Sequence, residues 1–179
     1  PSTFRLTYDL ANMDPNADHD LRPLGGPGSF FRRMRVLCNG QIIEDIDSYN
    51  RVEAMFENLT AKDANQNVNA EGFGKKWNRV DHQIAAFTPD TFRGIAGGQS
   101  QTVLFKPLSG LLNQNKFLPL RYAPLTIELE IVSTLFEPIL SAFVAGNEFT
   151  AGNTSVAWQI QNVQVKVDLC TLDNALDNS

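Results

Sequence analysis

Phe31-Arg32-Arg33-Met34-Arg35-Val36-Leu37-Cys38-Asn39-Gly40-Gln41-Ile42-Ile43-Glu44-Asp45-Ile46 sets two strand-like runs on either side of Asn-Gly. Asn39 and Gly40 both tolerate positive φ, which a type I′ turn requires, so Phe30 to Cys38 and Gln41 to Ile46 are expected to pair as an antiparallel hairpin. After the hairpin the period changes. Tyr49, Val52, Met55, Phe56 and Leu59 recur at helical spacing, which predicts a helix over Ser48 to Leu59 capped by Asp47 or Ser48. Before it, Phe4, Leu6, Tyr8 and Leu10 alternate with Thr3, Arg5, Thr7 and Asp9, the pattern of a half-buried strand.

Thr60 to Ser100 has no clear period, with Asn65, Asn67 and Asn69 followed by scattered Gly and Pro. A loop of this length, at about 60–101, usually carries function or an interaction surface. Strand patterns return at Thr102 to Leu108 and again at Leu125, Ile127, Leu129 and Ile131, which alternate with Thr126, Glu128 and Glu130. The last strand, Val156 to Leu169, switches phase between Ile160 and Val163, which predicts a bulge near Gln161 or Asn162. Phe136 to Phe149 fits either a short strand or a turn of helix. Many strands, one short helix and long loops make the chain mostly β, and the expected architecture is an antiparallel eight-stranded jelly-roll sandwich.

The chain has 179 residues, 42% of them apolar and 20% charged, enough for one domain with its own core. Its 15 Lys and Arg against 20 Asp and Glu leave a net charge of −5, which argues against a general nucleic-acid binder. Arg32, Arg33 and Arg35 are the local exception. At strand spacing Arg33 and Arg35 share a face and Arg32 points the other way, and a solvated or carboxylate-paired strand edge accounts for them better than a phosphate site. The longest apolar runs, such as Ala142 to Ala145, are far shorter than a membrane span, so no membrane insertion is expected. Cys38 and Cys170 lack any C-x-x-C spacing and read as two buried thiols in a reducing compartment, with a bridge between them left open by spacing alone.

Residues that could carry chemistry are few. His19 and His82 are the only histidines, and neither belongs to a G-x-S-x-G or H-E-x-x-H pattern. Asp14, Asn16 and Asp18 have the spacing of the first calcium ligands of an EF-hand loop, but His19 stands where that loop needs Gly and Gly25 where it needs a bidentate carboxylate. A solvated acidic turn is the expected structure there. Gly25-Gly26-Pro27-Gly28 precedes a strand rather than a helix and so lacks the anion-binding helix end of a phosphate loop. It reads as a flexible lead-in. No cofactor, no metal and no catalytic residue is expected.

In order along the chain, three segments resemble the major capsid proteins of double jelly-roll DNA viruses, those of polinton-like viruses and virophages first and of nucleocytoplasmic large DNA viruses more distantly. The first is Phe31 to Ile46 running into Tyr49, Arg51 and Met55, which resembles the strand, hairpin and helix of the first jelly roll. The second is Leu118-Pro119-Leu120-Arg121-Tyr122-Ala123-Pro124-Leu125 leading into Thr126 to Val132, similar to the family's proline-bearing approach to a long strand. The third is Trp158 to Asp168 with Leu169-Cys170-Thr171-Leu172-Asp173, similar to the closing strand and the start of the linker. Such proteins carry two jelly rolls, so the resemblance implies that residues 1–179 are the N-terminal half of a longer chain.

It further implies a structural protein rather than an enzyme: a homotrimer, pseudo-hexagonal in outline, that tiles an icosahedral virion shell beside neighbouring capsomers, penton and minor capsid proteins. The expected subunit contacts lie in the long loop, where Phe73, Trp77, Phe87 and Phe92 would otherwise be exposed. The alternative is a carbohydrate- or receptor-binding jelly roll, which would gather exposed aromatics in one groove.

Overall fold

The computed structural model describes residues 3–59, 94–139 and 154–171. In chain order these form β1 (Arg5–Asn12), β2 (Phe31–Cys38), β3 (Gln41–Asp47), α1 (Tyr49–Leu59), β4 (Ser100–Phe105), β5 (Leu125–Ile131) and β6 (Trp158–Lys166). The protein is mostly β. Two antiparallel three-stranded sheets are ordered β4-β1-β6 and β3-β2-β5. Among the described residues there are six strands rather than eight. Among the described residues the other extended segments make isolated bridges, Asp20 to Thr154, Leu21 to Ile95 and Pro23 to Ile139.

One core serves both sheets. From β1 come Leu6, Tyr8 and Leu10; from β2 come Phe31, Met34 and Val36; Val103 and Phe105 of β4 complete it. Tyr8 sits among rings, edge-on to Phe31 at 5.7 Å and to Phe105 at 6.2 Å, while Phe31 stacks on Phe105 at 6.1 Å. Such pairs add to the burial of area itself. The Tyr8 hydroxyl donates to the Pro27 carbonyl at 2.7 Å, so the one polar atom of this side chain is satisfied inside the core.

The hairpin turn has φ of 49° at Asn39 and 78° at Gly40, as the dipeptide predicts. The late bulge is present as well. Asp9 faces Gln161 while Thr7 faces Gln164, so β6 carries an extra residue there, and Asn162 has φ of 51°. Asp9 pins it, accepting from Asn162 Nδ2 at 2.6 Å and from Thr102 Oγ1 at 2.5 Å.

The helix lies where its period places it, yet it packs differently. Tyr49 is fully buried and its hydroxyl accepts from the Leu108 N–H at 2.8 Å, but Met55, Phe56 and Leu59 are exposed. The side facing the body of the protein carries Glu53 and Glu57, whose carboxylates lie against Gly28 and Gly26. Neither Asp47 nor Ser48 caps the first turn with its side chain; the Ser48 carbonyl takes the N–H of Arg51 and Val52. The glycine-rich stretch is not a flexible lead-in. Pro27–Phe30 is a 3-10 turn with Pro27, Gly28 and Phe30 buried, held by the Tyr8 hydroxyl and by α1.

Asn12, at the end of β1, is buried and uses every polar atom. Its Nδ2 donates to the carbonyls of His19 and Ile95, both at 2.8 Å, and its Oδ1 accepts from the Asp14 N–H at 3.1 Å and Ser155 Oγ at 2.6 Å. Its backbone N–H reaches Gln99 O, and its carbonyl accepts from Gly98 N, each at 2.9 Å.

Two substitutions separate these effects. Asn12→Ala takes a donor from the His19 and Ile95 carbonyls, the second of which keeps the Leu21 N–H, and an acceptor from the Asp14 N–H and Ser155 Oγ, and is expected to lower stability by about 3 kcal/mol. Gly40→Val meets no neighbouring atom and costs only the left-handed backbone, about 1–2 kcal/mol. Denaturant midpoints at constant slope measure both; an Asn12→Ala midpoint equal to that of the parent would refute the network.

Candidate functional site

The outer face of the β3-β2-β5 sheet is a ladder of charge. Arg33 lies in register between Asp47 and Glu130, and Arg35 between Asp45 and Glu128. Arg33 holds Asp45 through two bonds, Nε to Oδ1 at 2.7 Å and Nη2 to Oδ2 at 2.5 Å, and Arg35 reaches Glu128 at 2.9 Å. Arg32 does not point to the opposite face as simple alternation requires. A register shift between Phe31 and Arg33 lets it approach Glu130 at 3.8 Å with its side chain largely exposed. Three arginines thus meet carboxylates, which leaves this surface without the unpaired positive charge that a phosphate backbone needs. The shallow depression lined by Arg33, Arg35, Glu128, Leu129 and Glu130 is an ion-pair surface open to water.

The Asp14-to-Asp18 turn closes on itself. Asp14 Oδ1 accepts from the Asn16 N–H at 2.9 Å and Asn16 Oδ1 from the Asp18 N–H at 3.1 Å, so the oxygens that would bind calcium hold the backbone instead. His19 belongs to the same turn. Its Nδ1 lies 2.9 Å from Asp14 Oδ2 and its Nε2 3.2 Å from Asn16 Nδ2, a pattern that assigns the proton to Nδ1 and makes Nε2 an acceptor. It ties the turn together. Among the described residues no group of three His, Cys, Asp or Glu is placed to hold a metal ion.

Cys38 and Cys170 are both free thiols, and the expectation that both are buried is corrected: Cys38 is half-buried at the hairpin turn and Cys170 is exposed beyond β6, where no second layer among the described residues covers the chain. Among the described residues no helix is long and apolar enough to cross a membrane. His82 and the expected contact residues Phe73, Trp77, Phe87 and Phe92 lie outside the described residues, as does most of the loop at about 60–101. The part of that loop from Gly94 onward is ordered against the core: Ile95 is buried and exchanges two backbone hydrogen bonds with Leu21, each at 2.8 Å.

What the described surface does offer is exposed apolar area. Met55, Phe56 and Leu59 line one side of α1, Phe117, Leu120 and Tyr122 the turn before β5, Val163 and Val165 the far end of β6, and Val167 and Leu169 the segment that follows it. The sequence signal for the last group is the phase switch itself. Alternation continues after the bulge, but nothing in the described chain lies over it. The described surface therefore combines paired charges with exposed apolar side chains, the kind of area that interfaces use.

Comparison with known proteins gives no assignment: no protein-family model, no curated protein and no solved structure matches the chain.

Three carboxylates are held below their ordinary range by hydrogen bonds: Asp9 by Thr102 and Asn162, Asp14 by the Asn16 N–H and His19, and Asp45 by Arg33. A lowered folded value means stability that is complete above the unfolded carboxylate range near about pH 4 and is lost as pH falls through the folded values. Denaturant midpoints are expected to be flat from about pH 7 to 5 and to drop below about pH 4. Asp9→Asn combined with Asp45→Asn should flatten that acid limb, and an unchanged limb would show that these carboxylates do not contribute.

Proposed function

We propose that the chain is a structural module, the first jelly roll of a major capsid protein that trimerises into pseudo-hexagonal capsomers of an icosahedral virion shell. The observation that carries this reading is nested pairing. β1 pairs with β6 outermost, Pro23 bridges Ile139 inside that, and β2 pairs with β5 innermost, all antiparallel. A jelly roll is such a folded-over hairpin, with successive strands from the two arms pairing inward toward the middle of the chain.

The short segment around Leu21 to Leu24 supports the remaining strand pair. It is bonded to Ile95 on one side, and the Leu24 N–H reaches the Pro138 carbonyl at 2.8 Å next to the Pro23 bridge. The position of β4 beside β1, the pairing of β3 with β2 and the parallel bridge of Asp20 to Thr154 are additions to the plain nested order. The resemblance of residues 31–55, 118–132 and 158–173 to the capsid family supplies the functional half of the proposal. Surface chemistry is in keeping with it, since uncovered apolar groups on α1, before β5 and on β6 give several separate contact areas, as a subunit with several neighbours needs.

The complete reading frame that encodes this chain, expressed in isolation, is expected to purify as a homotrimer with a pseudo-hexagonal outline. Light scattering with electron microscopy tests this, and a stable monomer would overturn the capsid reading.

A further inference from the structure

We propose that the free edge of β6, together with Val167 to Leu169 that follow it, pairs, antiparallel and two-fold symmetric, with the same edge of a second copy of this chain, with Val167 on the two-fold axis. The inference does not depend on the capsid reading.

Three observations lead to it. First, β6 is an edge strand whose backbone is available. Lys166 and Gln164 stand opposite Arg5 and Thr7, the Asp168 N–H donates to Thr3 Oγ1 at 3.2 Å, and the Gln164 carbonyl faces Thr7 Oγ1 at 3.5 Å. Even-numbered residues therefore turn their backbone groups toward β1, and alternation turns those of Val163, Val165 and Val167 outward, where no strand among the described residues meets them. Second, the apolar side chains of this stretch are uncovered. Val165 stands across from buried Leu6, on the core side of the sheet, yet is half exposed, and Leu169 is 75% exposed.

Third, Lys166 and Asp168 on the opposite face lack an ion pair within the described residues of one copy and gain one between two. Lys166 stands directly across from Arg5, a like-charge neighbour, and neither Lys166 nor Asp168 has an ion-pair partner among the described residues. Pairing centred on Val167 brings Lys166 of each copy opposite Asp168 of the other, at both ends of the axis. The same register sets Val167 against Val167 and Val165 against Leu169, giving one continuous apolar face. It also makes Val167 a hydrogen-bonded pair and the Lys166–Asp168 pairs non-hydrogen-bonded, the class in which side chains lie closest. Centring on Lys166 would instead oppose lysine with lysine, so the charges select a single register. Lys166 and the bulge at Asn162 are devices that blunt an edge against indiscriminate pairing, and here they leave one partner sequence acceptable.

Charge reversal tests the register. The 179-residue chain is expected to sediment as a concentration-dependent dimer. Lys166→Asp or Asp168→Lys alone creates two like-charge oppositions and should weaken the dimer by about tenfold or more, whereas the two together restore opposite charges and should return it to within about threefold of the parent. Far-UV circular dichroism confirms that each variant is folded. In a chain carrying Val167→Cys with Cys38→Ser and Cys170→Ser, mild oxidation should give an interchain disulfide, since paired Cα atoms at the axis lie about 5.5 Å apart. A monomer at every concentration, single reversals without effect, a double reversal weaker than either single, or failure of the Val167→Cys chains to cross-link would each overturn the proposal.

Discussion

Asn12 holds the middle of the molecule together by having nothing left over. Its side chain joins the end of β1 to residues 14, 19, 95 and 155, segments otherwise tied to one another by a few backbone hydrogen bonds such as those of Leu21 with Ile95 and of Ser155 with Asp20. A buried amide with two donors and two acceptors, all used, fixes direction in a way that leucine in the same space could not. Aspartate would fail there as well, because two of the four partners are carbonyl oxygens. Once this point is set, β1 is the middle strand of its sheet with β4 and β6 placed on its two sides, and Tyr8, four residues earlier, is aimed at the rings of Phe31 and Phe105.

Local patterns are legible in the sequence and long-range polar contacts are not. The hairpin at Asn39-Gly40, the helix from Tyr49, the strand at Leu125 and the bulge at Asn162 each follow from a few adjacent residues, and all are present. Nothing in the sequence near Asn12 marks it, since its partners lie up to 143 residues away. The buried side of α1 is hidden for a related reason. Apolar spacing points to Met55, Phe56 and Leu59, but Gly26 and Gly28 open room for the carboxylates of Glu53 and Glu57, and small size at one position of the chain decides packing at another.

The same holds for the surface. Arginines read as carboxylate-paired are so paired, because acidic residues fill both neighbouring strands, but the turn of Arg32 toward Glu130 depends on a register shift that alternation cannot reveal. The apolar tail of β6 is visible as a phase switch, and alternation alone gives it a buried face. Only the fold shows that no layer among the described residues lies over it.

Nested pairing also imposes an order in time. Ala11 and Gln159 are partners, so the central strand of one sheet acquires its outer neighbour only when nearly the whole of residues 1–179 exists. Contacts so distant in sequence make folding slow, because the closure entropy of a long loop comes before the reward of the ladder. During synthesis at about 5–20 residues per second, β1 waits roughly 7–30 s with one edge bare. The β2–β3 hairpin, by contrast, is complete within a few residues of its turn. Within residues 1–179 the inner hairpin can therefore form long before β1 and β6 meet, and until they do that edge of β1 is open to other chains.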